Sequence, residues 1–184
     1  MDIYDSDLLT SLDGLSNVTS IGGDLGIRDN SALTNLEGLS NITSIGGGLS
    51  IEDNPALTNL DGLSNITATG GHLGIRGNDL LINLDGLGNI TNVGEHLGII
   101  GNDLLTNLDG LDNLTTIGGG LTIEDNPVLI NLDGLSNLCI VSGNFNIFNN
   151  QLLCNSMAID LSENVKDCDG ISGSITIEDN KDCP

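Results

Sequence analysis

Leucine and isoleucine return at fixed places along this chain. Leu33, Leu36, Leu39, Ile42 and Ile45 stand three residues apart, and just before them Leu25 and Ile27 alternate with polar or small neighbours. The alternation predicts a half-buried strand around Asp24–Arg28. Steps of three lack the i, i+4 contacts of an amphipathic helix, so the next stretch is expected to be short turns or 3₁₀ pieces, with a second short strand near Ile42–Ile45. Gly38 and the pair Gly46-Gly47 oppose a long helix there, and the pair is expected to allow the corner into the next strand. Asn30 follows the strand at a turn, where a buried amide can bond the backbone of its own and the next coil.

The whole pattern repeats every 24 residues. Leu9 recurs as Leu33, Leu57, Leu81, Leu105, Leu129 and Leu153, and Asn30 as Asn54, Asn78, Asn102, Asn126 and Asn150. One copy cannot bury its apolar face alone, so about seven copies are expected to stack as a mainly β solenoid with one parallel sheet. Residues 1–152 hold the repeats, the first truncated, and residues 153–184 form a C-terminal capping unit of the same domain. Met1 falls inside a repeat, so the chain reads as a piece cut from a longer protein, with Met1 supplied for expression. The first coil looks uncapped around Ile3 and Tyr4, and its open edge is a place for self-association.

Cys154 to Asp167 (CNSMAIDLSENVKD) breaks the pattern. Met157, Ile159 or Ala158, Leu161 and Val165 lie near helical spacing, which suits a capping helix or loop. The last repeat is 30 residues long, Asn150 to Asn180. That length places Cys139 and Cys168 in nearly one column of successive coils, and Cys154 and Cys183 in another. Neighbouring coils lie ~4.8 Å apart, close to the Cα separation of a disulfide. Of three possible pairings, Cys139–Cys168 with Cys154–Cys183 is therefore favoured, giving a locked end and an oxidising compartment. A metal site is the alternative, but no CxxC and no nearby His supports it.

Composition narrows the partners. Four basic residues stand against 26 acidic ones, a formal charge of −22, which excludes nucleic acid and anionic membrane surfaces as partners. No apolar run approaches the ~20 residues of a membrane span. The scarcity of aromatic residues fits thin coils filled by aliphatic side chains.

The pattern LxIxxNxxLxxLxGLxNIxxIGGxLxI, carried by Leu25 through Ile51 and repeated to Ile147, resembles the receptor L-domain-like repeats of bacterial and other microbial surface proteins. These are relatives of the leucine-rich repeat and of the L domains in growth-factor receptors. The cysteine-bearing end, Leu153-Cys154 through Ile175-Thr176-Ile177 to Cys183, also looks like that family's terminal unit. The resemblance implies a leucine-rich-repeat-like solenoid that serves recognition or adhesion at a cell surface or outside the cell. It implies no enzymatic activity, no cofactor and no named ligand. The copies are more alike than in most receptor L domains, which leaves less room for a tailored site.

Function is expected where the copies disagree, because shared residues build the coil. The outward strand column Arg28, Glu52, Arg76, Ile100, Glu124, Phe148 is the candidate site for a protein or glycan. Arg28, Glu52 and Arg76 also read as a charge ladder, whereas Ile100 and Phe148 are apolar on an outward face. His72 and His96, with Glu95 beside them, are candidate ligands for a transition metal. Asp29, Asp53, Asp125 and Asp179 share a column that Gly77, Gly101 and Asn149 interrupt, so it is not a regular array for Ca²⁺. Asn17, Asn41, Asn65, Asn89 and Asn113 each begin an N-x-T sequon. Because they share one column, they read as a structural Asn/Thr ladder. Thr19, Thr43, Thr67, Thr91 and Thr115 suggest an alternative, a structural solenoid or one that binds ice or a crystal surface. No nucleophile–base pair or phosphate loop points to an enzyme.

Overall fold

The computed structural model describes residues 1–168 and 170–183. Each 24-residue unit closes one coil. In the unit that begins at Leu25, the strand Leu25–Arg28 buries Leu25 and Ile27, and the chain turns at Asp29-Asn30. It then runs to a 3₁₀ turn at Glu37–Leu39 and a short strand at Ser44–Ile45. The step of three has a direct cause. The amides of Leu33, Leu39 and Ile42 each donate to the carbonyl three residues back, on Asn30, Leu36 and Leu39, at 3.1, 2.9 and 2.9 Å. A chain with three residues per turn presents every third side chain to the same side, and Leu33, Leu36, Leu39 and Ile42 are all fully buried.

The coils stack in register, Leu25 beside Leu49 and Ile27 beside Ile51. Among the described residues the long strands form one eight-stranded parallel sheet. It runs Asp2–Tyr4, Leu25–Arg28, Leu49–Glu52, Leu73–Arg76, Leu97–Ile100, Leu121–Glu124, Phe145–Phe148 and Ile175–Glu178. The short strands pair as well, so the solenoid has two parallel sheets where one was expected. The second has seven strands, from Ser20–Ile21 to Gly170–Ile171. Between the sheets lies one aliphatic core, continuous from Leu12 to Val165.

Two glycine columns set how closely the coils approach. A Cβ added at Gly38 would run into the Leu12 carbonyl of the preceding coil, and Gly62, Gly86, Gly110 and Gly134 meet the same obstacle. The corner glycines differ from expectation. Gly46 and Gly47 do not take positive φ. Gly46 is required because the Gly22 carbonyl sits where its side chain would be.

In the last full coil the helix Asn155–Asp167 stands where the other coils place the 3₁₀ turn, which accounts for the longer repeat. It buries Ala158, Leu161, Ser162 and Val165, and leaves Met157 and Ile159 exposed. Its buried face packs on Gly170–Ile171 and Ile175–Glu178. Cys139 is bonded to Cys168 with Cα atoms 5.2 Å apart, and Cys154 to Cys183 at 5.5 Å. The final strand is therefore stapled to the coil before it at two separate corners. No helix among the described residues is long and apolar enough to cross a membrane.

Candidate functional site

Strand alternation decides what the long sheet shows to solvent. Leu25 and Ile27 point inward, so the columns of Gly26 and Arg28 point outward. The register aligns Arg28, Glu52, Arg76, Ile100, Glu124 and Phe148 in one row, as the 24-residue step requires, and the longer last repeat returns Glu178 to it. Arg28 Nε lies 3.6 Å from Glu52 Oε2, the only ion pair among the described residues. A half-exposed pair of this kind adds about 0–1 kcal/mol. The charge ladder thus stops after one rung, and the Arg76 guanidinium makes no ion pair among the described residues. Ile100 and Phe148 are half-buried, each set between strands that place charged residues beside it.

Beside this row the outward column reads Gly26, Ser50, Gly74, Gly98, Thr122, Asn146, Thr176. Gly74 and Gly98 are neighbours in register. A Cβ at Gly74 would meet atoms no nearer than 3.6 Å, and one at Gly98 only the Ile100 Cδ1 at 3.8 Å. Two strands in succession therefore present bare backbone as a shallow floor. Arg76 and Ile100, paired in register, border one side of it, and the His72 ring, with Cδ2 3.9 Å from a Cβ at Gly74, borders the other. His96, just before the strand Leu97–Ile100, turns instead to the following coil. Glu124 and Phe148 extend the same row over the next two coils, while Arg28 and Glu52 are occupied with each other.

The two imidazoles serve neighbouring coils in opposite directions. His72 Nε2 is 2.8 Å from Ser50 Oγ of the preceding coil, and its ring covers Gly48. His96 Nδ1 accepts the Gly120 amide of the following coil at 2.8 Å. Asp24 and Asn144, in the same column, accept the amides of Gly48 and Ser174 in the same way, at 2.7 and 3.0 Å. No three His, Cys, Asp or Glu side chains among the described residues gather so as to hold a metal ion.

The interrupted acidic column has a conformational cause. Asp5, Asp29, Asp53, Gly77, Gly101, Asp125, Asn149 and Asp179 all have φ between 52° and 64°. Glycine, asparagine and aspartate are the residues that enter this left-handed region at low cost. The buried Asn that follows closes the turn. Asn54 Nδ2 donates to Glu52 O at 2.8 Å and to Ile27 O of the preceding coil at 2.9 Å, and its Oδ1 accepts the Asn30 amide at 3.2 Å.

The sequon column is also committed to stacking. Asn41, Asn65, Asn89 and Asn113 each donate from Nδ2 to a carbonyl of the preceding coil at 2.7 Å. The hydroxyls of Thr43, Thr91 and Thr115 turn toward the carbonyls of Thr19, Thr67 and Thr91 at 3.1–3.4 Å.

One feature escaped the outward-strand reading. Leu80, Ile82, Leu104, Ile130 and Leu152 are large, apolar and exposed, and they lie on the flank after the Asn turn. Their signal was present in the sequence as columns that change from Ala32 and Ala56 to Leu80 and Leu104, and from Thr34 and Thr58 to Ile82.

The family model described as Receptor L domain matches residues 67–165, more than half of the chain. That span includes the Gly74–Gly98 floor and the residues that border it. No curated protein and no solved structure matches this chain.

Proposed function

The chain belongs to the receptor L-domain family, and from that premise we propose that it is a non-catalytic binding module of a secreted or cell-surface protein, holding a protein or glycan on its long sheet. One observation carries the reading. Around Gly74 and Gly98 no side chain covers the sheet backbone closely, with the His72 ring on one side and Arg76 and Ile100 on the other. A side chain or sugar ring laid on that floor meets the Arg76 guanidinium, the aliphatic Ile100 and the edge of the His72 ring. Arg and apolar anchors of this kind dominate binding where they are concentrated. Arg76, in no ion pair among the described residues of a chain with so few cations, favours a ligand that offers a carboxylate or a ring of acceptors. The two disulfides support an oxidising compartment for the module.

A screen of surface proteins and glycans tests the reading. Each hit is remeasured on Ile100→Asp with Phe148→Asp, on Arg76→Ala, and on Gly98→Tyr, which fills the floor without touching the core. The expected result is loss of binding in the Gly98→Tyr and Arg76→Ala proteins with unchanged melting. Hits that bind all variants equally would remove the sheet face from consideration.

A further inference from the structure

A second face of the solenoid carries side chains that stacking does not require. After each Asn turn the chain runs toward the 3₁₀ turn, burying Leu33 and its equivalents and pointing the residues on either side outward. One outward column is Leu8, Ala32, Ala56, Leu80, Leu104, Val128, Leu152; the other is Thr10, Thr34, Thr58, Ile82, Thr106, Ile130. The coils at Ala32 and Ala56 show that alanine and threonine suffice for the fold, while the first coil carries Leu8, 93% exposed. From the coil that begins at Leu73 onward, Leu80, Ile82, Leu104, Ile130 and Leu152 take these places, each 43–53% exposed. The columns are contiguous, since the Thr106 amide donates to Ile82 O at 3.5 Å and the Ile130 amide to Thr106 O at 3.1 Å.

Carboxylates frame this band. Asp79 and Asp103 lie exposed on its strand side, and Asp85, Asp109 and Asp133 at the start of the 3₁₀ turns on its other side. None of the five is in an ion pair among the described residues. The band offers roughly 300–400 Å² of apolar surface, the scale of a single functional patch. A stable dimer needs about 800 Å² from each partner. A second copy, also at −22, would moreover bring carboxylates against carboxylates.

We infer that this flank docks a short basic amphipathic segment of a partner protein, its apolar side chains seated on Leu80, Ile82, Leu104, Ile130 and Leu152 and its Lys or Arg groups reaching the two aspartate rows. Apolar contact supplies the hold, and the framing charges select the sign of the partner. The surface is separate from the sheet face, so the two readings stand or fall independently.

The probe is a short fluorescent peptide alternating Leu with Lys, paired with a counterpart of equal charge in which every Leu is Ser. The variant is Leu80→Ala, Ile82→Thr, Leu104→Ala, Ile130→Thr, built from residues that the earlier coils use at the same positions. The Leu/Lys peptide is expected to bind the wild-type chain, to bind the variant about tenfold or more weakly, and to weaken as salt screens the aspartates. Hydrogen exchange should slow at residues 79–83, 103–107 and 127–131, and Ile100→Asp with Phe148→Asp should change nothing. No binding, equal binding of the Ser/Lys peptide, or equal binding to the variant overturns the inference. So does a dimer in light scattering that the variant abolishes.

Discussion

Asp53 and Asn54 sit side by side at one turn of the solenoid and do unrelated work. Asp53 is there for its backbone, at φ 54°, and Asn54 for its amide, which bonds two coils. The Asp column therefore tolerates exchange within a narrow set. Asp125→Gly is expected to leave thermal stability nearly unchanged, as Gly77 and Gly101 do in their own coils. Asp125→Val is expected to cost about 1–2 kcal/mol, because a branched Cβ at positive φ meets the following carbonyl. Equal melting of the two variants would end the backbone account of the column. The Asn column was legible in the sequence because its identity never varies from Asn30 to Asn150. The Asp column was read first as a set of charges, since φ leaves no mark in a sequence except the company that Asp keeps with Gly and Asn.

At the scale of elements, the step of three became a 3₁₀ turn because each turn is pinned by i to i+3 bonds and packed against the turn before it. The glycine at its centre is what allows that packing. Gly86→Ala would drive a methyl group into the Leu60 carbonyl, and is expected to cost about 3 kcal/mol. Gly14→Ala places the same methyl in open space, and should shift stability by less than about 0.5 kcal/mol. Chemical denaturation of the two proteins side by side checks this; a similar midpoint for both would end the close-approach account. The 3₁₀ turns and the strand at Leu25–Arg28 were visible from periodicity. The second sheet was only half visible, because two-residue strands such as Ser44–Ile45 become a sheet through stacking alone. In the helix, Ala158 rather than Met157 or Ile159 faces the core. Spacing alone allowed all three, and packing on Gly170–Ile171 and Ile175–Glu178 selected the small one.

At the scale of the molecule, the two faces with unexplained residues were unequally legible. Outward strand columns can be read directly from alternation, which is how Arg76 and Ile100 became candidates. The apolar flank was hidden because its residues sit one place before and after a buried leucine, in a stretch read mainly for what it buries. The stapled end is the third molecular feature. The final strand adds to only one neighbour, and each disulfide closes a separation of 29 residues. Replacing Cys154 and Cys183 with Ser is expected to destabilise the protein by about 2–4 kcal/mol. Amide exchange should then accelerate first in Ile175–Glu178, with the coils before Leu121 little changed. A uniform acceleration along the chain would argue for a single cooperative unit instead.

The Asn ladder also has a direction. The side chain of Asn54 holds the coil before it with both ends, Nδ2 donating to Ile27 O and Oδ1 accepting the Asn30 amide, while the Asn54 amide in turn donates to Asn78 Oδ1 of the coil after. A coil lost from the far end therefore strands a buried backbone amide without its acceptor. A coil lost from the near end instead strands a side chain without the carbonyl it donates to. Growth and loss of this stack are not mirror images.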